Sequence, residues 1–321
     1  MLGQWNRSMP TSPKTIGVIG LGSIGMRHAK NLLAMGHRVL GYDPDGSRMK
    51  MLIEQNDPSC EGEAGWGVGP QALCDSCDAL VIASPSADHF LQLAMAIKDG
   101  LPVLVEKPIA TEFLEALSHV LKAARATVMV GNNLRFHNCV KKAREWLDAG
   151  LIGQPLWANF TLAQLNDKYI EDVVLNWGAH ELDLARYLLG DCEVVAASHA
   201  SGGIADIILR HGNGCQTTVH LDYLTKPEVR RFSIIGTNGR IIVDLVGRHV
   251  WKCGNEKGEH TNPIAEGLDF RGTDSFDQNY IEEMQAFLDR IDGKETLGAT
   301  GEDGLAVLEL CLEAKKLAGI A

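Results

Sequence analysis

Residues 14–28 read K-T-I-G-V-I-G-L-G-S-I-G-M-R-H, and no other stretch restricts the fold of this 321-residue chain so tightly. An apolar run at 16–19 enters the glycines Gly20, Gly22 and Gly25, and residues 26–35 continue with helical spacing. That pattern predicts a strand, a tight turn and a helix. Such a turn aims the helix N-terminus, with its unpaired N–H groups and partial positive charge, at a pyrophosphate. Gly20 suits the tight turn, Gly22 the close approach of backbone to phosphate, and Gly25 the contact of helix with strand, with Ser23 and Ile24 between them.

A lone G-x-G-x-x-G carries little weight, so its surroundings decide. Gly36 is placed to end the first helix. Residues 38–42 read as a second strand, ending at Asp43, near the spacing of about 20 residues at which a dinucleotide fold puts an acid on the adenosine ribose. A carboxylate there repels a 2′-phosphate, which favours NAD over NADP, although Arg48 nearby can accept such a phosphate. Asp43-Pro44-Asp45-Gly46 is equally suited to a plain β-turn. A strand is expected somewhere within 54–70 without a clear position. Apolar strands follow at 79–83, 103–105 and 128–130, separated by a helix through Leu91, Ala94 and Ile97 and by one that Thr111 can cap. This alternation predicts a parallel, doubly wound sheet with ligands at the carboxyl ends of its strands.

Beyond residue 135 the rhythm changes. Helices at 137–149 and 178–189 flank a strand at 156–165, and short strands follow at 193–198, 203–209, 216–223, 230–235 and 240–245. Asn238-Gly239 signals a hairpin between the last two. Helices at 280–291 and 303–317 close the chain. The expectation is an α/β chain of two domains: a Rossmann domain over 1–134 and an α+β domain with a mostly antiparallel sheet over 135–321, packed with a cleft between them.

The net charge of −11 argues against nucleic acid or an anionic membrane as the main partner. No apolar run approaches the roughly 20 residues of a membrane helix. The first 14 residues, with Pro10 and Pro13, read as a loose leader and not as a signal peptide. Eight scattered cysteines point to a reducing, cytoplasmic compartment. Cys74-x-x-Cys77 has no second pair, so no metal site is expected there, and none at His180 and Asp183, which lack a third ligand.

Two places can carry chemistry. Lys107 follows a buried strand at the edge a nicotinamide would reach, between Glu106 and Pro108, and can donate to a substrate hydroxyl. Asn176, His180 and Asp183 stand at i, i+4 and i+7, on one face if the helix extends back to Asn176. A neutral imidazole is suited to take a proton from an alcohol as hydride leaves. Arg135 and Trp177 are candidates to line the substrate pocket.

In this order, G-L-G-S-I-G, S-P-x-x-x-H at 84–89, E-K-P at 106–108, R-F at 135–136 and H-x-x-D from His180 resemble the glucose-fructose oxidoreductase and inositol dehydrogenase family over nearly the whole chain. The resemblance implies a Rossmann domain with an open-faced antiparallel sheet, NAD or NADP, and redox chemistry at a secondary alcohol of a sugar, sugar acid, sugar nucleotide or cyclitol. It implies that Lys107 is the family lysine, that His180 is the catalytic histidine, that Ser84, His89 and Glu106 line the cofactor, and that the open sheet joins a homodimer or homotetramer. The chain departs from the family at Asn176, where Asp is common; an amide still orients a hydroxyl but carries no charge. A regulator that keeps NAD without catalysis, or a transferase or hydrolase that uses NAD as a transient oxidant, are the rival readings.

Overall fold

The computed structural model describes residues 12–54, 64–66, 69–166, 172–201, 203–254, 265–271 and 276–320. It divides into two compact units, Met1–Gly131 with Tyr280–Thr296, and Asn132–Asn279 with Leu297–Ala321. Against the expected blocks 1–134 and 135–321, residues 280–296 group with the first unit, and residues 132–134 with the second.

The first unit runs β1 Thr15–Ile19, α1 Ser23–Ala34, β2 Arg38–Tyr42, α2 Gly46–Glu54, β3 Ala64–Trp66, α3 Pro70–Cys74, β4 Ala79–Ile82, α4 His89–Lys98, β5 Val103–Glu106, α5 Leu114–Ala123 and β6 Val128–Gly131. Its strands lie in the order β6-β5-β4-β1-β2-β3, and each of these pairs is parallel. Every residue of β4 is buried, and so are four of the five in β1. Helices cover both faces of a parallel sheet, which is why these strands are continuously apolar. The strand expected within 54–70 is β3, paired to β2; residues 55–63, 67 and 68 lie outside the described residues. Thr111 does not cap α5. Phe113 adopts φ 64°, a left-handed residue that cannot belong to a right-handed helix, and α5 starts after it.

The second unit contains α6 Asn138–Asp148, β7 Pro155–Ala163, α7 Ala179–Leu189, β8 Cys192–Ala200, β9 Ile204–His211, β10 Gln216–Asp222, β11 Val229–Gly236, β12 Gly239–Asp244, β13 His249–Gly254, β14 Ala265–Asp269 and α9 Gly301–Ala318, with α8 Phe276–Ile291 crossing from this unit into the first. The sheet order is β14-β13-β12-β11-β7-β10-β9-β8. All its pairings are antiparallel except β7 with β10. Strand β9 alternates buried and outward residues along its length, as a sheet with one packed face must. Phe160 on β7 stacks on Phe232 of β11 at 4.9 Å within the packed face. The hairpin between β11 and β12 is present, but Gly236 pairs with Gly239, so its two loop residues are Thr237 and Asn238. Strands β13 and β14 lie beyond the strands read from sequence, because β13 shows no clean alternation of burial.

Inside this unit, Arg135 joins three elements. Its Nε and Nη2 donate to the two carboxylate oxygens of Asp183 on α7 at 3.0 and 2.6 Å, and its Nη1 donates to Asp303 Oδ2 on α9 at 3.1 Å. Arg186 Nη1 reaches the other Asp303 oxygen at 3.3 Å. Asp303 also closes a capping box with Thr300 at the start of α9. Burial pushes the Asp303 carboxyl upward, but Arg135, the Thr300 N–H and Arg186 outweigh it and hold the group below its ordinary value. A depressed folded-state value means that this stabilisation is present above the unfolded carboxylate range, near pH 4, and is lost as pH falls through the folded-state value. Asp303→Asn is therefore expected to cost about 2 kcal/mol at neutral pH and to flatten the loss of stability below pH 4, measured by urea unfolding across pH. An unchanged acid limb contradicts this assignment.

Candidate functional site

The phosphate-binding turn is built by two close approaches. Gly20 has φ +85°, and a Cβ on it would lie 2.6 Å from the Ser84 nitrogen and 2.7 Å from the Ala83 carbonyl. A Cβ on Gly25 would lie 1.8 Å from the Gly20 oxygen. Both positions exclude a side chain, and together they seat α1 against the loops that follow β1 and β4. Gly22 differs: its Cβ direction is open, with Arg48 Nη1 the nearest atom at 3.9 Å. It is also the N-cap residue of the twelve-residue α1, and no side chain caps that end. Open space above uncapped N–H groups fits a pyrophosphate, so the cradle fits a dinucleotide. Ser23 is exposed and Ile24 half-buried on the first turn of α1.

Asp43 closes β2 and is buried. Its Oδ2 accepts from the Leu21 N–H at 2.8 Å and its Oδ1 from the Asp45 N–H at 2.9 Å, while Arg48 Nη1 donates to Oδ2 at 3.2 Å. Asp43 thus braces the glycine turn and shapes its own β-turn; the two roles weighed for it from sequence are compatible, because a carboxylate has further lone pairs for ribose hydroxyls.

At the carboxyl edge of β4 and β5 the remaining first-unit candidates gather. His89 is buried, with Nδ1 2.8 Å from the Pro108 carbonyl oxygen and Nε2 2.9 Å from the Ser84 carbonyl oxygen. Its ring thereby ties the turn after β4 to the turn after β5. Ser84 Oγ donates to Gln92 Oε1 at 2.6 Å. Glu106 ends β5 with Oε1 2.7 Å from Nε2 of His28, a buried residue of α1. The Glu106 carboxylate lies where a Cβ on Gly131 would stand, 2.9 Å away. His28 and Glu283 were not singled out in the sequence, yet with Glu106 they bring potential ligand atoms within 4.8 Å of one another. One imidazole and two carboxylates are a donor set that divalent cations accept, but His28 and Glu106 are already hydrogen-bonded to each other. Lys107, half-buried, directly follows Glu106, and its peptide bond to Pro108 is cis.

The second unit holds the other candidates. Residues Val174–Gly178 form a π-helical turn that runs directly into α7. Such turns are rare and cluster at functional sites. Asp172 anchors it, its Oδ1 accepting from the Val174 and Leu175 N–H groups at 2.8 and 3.2 Å and its Oδ2 pairing with Lys315 at 2.9 Å. An Asp just before a helical run is a cap signal that sequence reading could have taken up. The wider turn breaks the simple i, i+4, i+7 alignment. Asp183 faces inward to Arg135, whereas Asn176, Trp177 and His180 are half-buried. Asn176 Nδ2 donates to the Tyr223 hydroxyl at 3.3 Å, and Trp177 meets the Tyr223 ring edge-on at 4.3 Å between centroids. Tyr223, at the end of β10, carried no sequence signal for this role. Arg135, expected to line a substrate pocket, is buried with its guanidinium bonded to Asp183 and Asp303. Residues 167–171, just before Asp172, lie outside the described residues.

Cys74 and Cys77 are buried free thiols, which burial first of all pushes up to about 11 and about 12. They are inert packing groups.

Two family models match. One, described as an oxidoreductase family with an NAD-binding Rossmann fold, covers residues 14–134, and the other, the GFO/IDH/MocA C-terminal domain, covers 140–242. Inositol 2-dehydrogenase 1 of Saccharopolyspora erythraea is 27% identical, over 94% of this chain and 94% of its own. Of solved structures, levoglucosan dehydrogenase in complex with NADH matches with a TM-score of 0.84 at 16% identity, over 96% of this chain and 97% of that one. UDP-N-acetylglucosamine 3-dehydrogenase of Acidithiobacillus ferrooxidans matches at 0.82 and 21%, over 95% and 97%. The two structural likenesses establish the fold.

Proposed function

The chain belongs to the GFO/IDH/MocA oxidoreductase family, with its NAD-binding Rossmann domain, and from that premise we propose that it passes hydride between NAD and a secondary alcohol of a cyclitol or sugar. The observation that carries the reading is the cradle: Gly20 and Gly25 admit no side chain, Gly22 is open, and the N–H groups of α1 are left for a pyrophosphate. Asp43 accepts from the adenosine ribose. NAD, when bound, supplies the hydride acceptor. Every other part of the step falls to the chain. The roles assigned are removal of the hydroxyl proton for His180, a hydrogen bond to a substrate oxygen for Lys107, and orientation of a hydroxyl for Asn176, which donates to the Tyr223 hydroxyl. A cyclitol is favoured because inositol dehydrogenases are among the relatives matched over nearly the full length. The reading adds a cytoplasmic location, consistent with free thiols at Cys74, Cys77, Cys139, Cys192, Cys215, Cys253 and Cys311, and the described residues contain no helix long and apolar enough to cross a membrane.

His180→Ala and Lys107→Ala are each expected to lower kcat by about 100-fold or more, with NAD affinity changed only a few-fold, in assays following nicotinamide absorbance with inositols, sugars and sugar acids. Turnover within a few-fold of wild type in either variant contradicts the assigned roles. Loss of NAD affinity alone would recast Lys107 as a cofactor ligand.

The outward face of the second sheet carries Trp157 directly opposite Ile235, with Ile208 two strands away, all exposed. Aromatic and aliphatic groups on a sheet face suit self-association, and the reading assigns this face to a homodimer or homotetramer. Light scattering after gel filtration is expected to give a multiple of the chain mass, and Trp157→Asp to lower it. A monomeric wild type contradicts the assignment.

A further inference from the structure

Two histidines hold the turn that carries Lys107, and neither has a part in the proton transfer described above. His28 grips the residue before the lysine, through Nε2 and Glu106 Oε1 at 2.7 Å; His89 grips the residue after it, through Nδ1 and the Pro108 carbonyl at 2.8 Å. The second nitrogen of His89 lies 2.9 Å from the Ser84 carbonyl. The ring is buried between the two carbonyls, and turning it over would put carbon atoms against both oxygens and lose both contacts.

His89 opens α4, so its ring also ties the start of that helix to the turn after β5. Around His28 stand Glu106 from β5, Glu283 and Tyr280 from α8, and Arg27, whose guanidinium lies over the Tyr280 ring.

We propose that His89 and His28 are positioning residues that clamp the Glu106–Pro108 turn from both sides and so fix where the Lys107 side chain stands. Its link to catalysis rests on the reading of Lys107 as the hydroxyl donor; the clamp itself does not. The test uses two variants of the full chain. His89→Gln and His28→Gln, each checked for folding by its melting curve, are expected to lower kcat by about tenfold or more while the KM for the alcohol stays within about threefold. Folded variants with unchanged kcat overturn the proposal. If the wild type turns over no alcohol tested, the oxidoreductase reading fails and amide hydrogen exchange decides the clamp: exchange at Glu106 and Lys107 is expected to quicken about tenfold or more in both folded variants, and unchanged exchange overturns it.

Discussion

A contact between backbone atoms governs the first unit. The oxygen of Gly20 lies where a side chain at Gly25 would begin, and Gly20 itself lies where a side chain would strike Ala83 and Ser84. Helix α1 can be this close to the turn only because both positions are bare. The closeness turns the helix N-terminus outward over the carboxyl ends of the strands, where open space at Gly22 leaves room for phosphate. Asp43 then locks the turn from the side through the Leu21 N–H. The candidate cofactor residues in this unit, from Asp43 to Lys107, lie at that same edge, at the end of a strand or in the turn and helix start after it. The alternation of strand and helix brings them there without any of them being adjacent in sequence.

The second unit solves a different problem. Its sheet buries one face against α6, α7 and α9, and its charged groups are drawn into that interior in matched sets. Arg135, Arg186, Asp183 and Asp303 form one set, Glu181 and Arg230 another, with Arg230 Nη2 2.8 Å from Glu181 Oε1. Removing one member of such a set strands the others, which makes these residues costly to change whatever their part in chemistry. His180 sits on α7 between Ala179 and Glu181, directly after the π-helical turn that Asp172 anchors.

Much of this was legible in the sequence because it rests on local rules. The glycine turn, the parallel alternation, the antiparallel run and the hairpin near Asn238 all follow from periodicity and from residues with restricted or unusual backbones, and the fold class stands as read. What was not legible depends on partners far apart in the chain. Nothing near His89 announces that its ring will span the carbonyls of Ser84 and Pro108, and nothing near His28 announces Glu106, 78 residues away. Arg135 reads like a pocket residue because arginine often is one; its bonds to Asp183 and Asp303 span 48 and 168 residues of chain. The π-helical turn is invisible for a related reason: its extra residue changes the phase of a helix without changing its composition.

The central claim is hydride transfer from a carbon of the substrate to the nicotinamide. It is tested most directly by supplying NAD with inositols and sugars deuterated at their secondary carbinol carbons and analysing the reduced cofactor by mass spectrometry. One such alcohol is expected to yield NADH carrying the deuterium, with none lost to water. Reduced cofactor without deuterium, or no reduced cofactor from any of them while NAD is demonstrably bound, would contradict it.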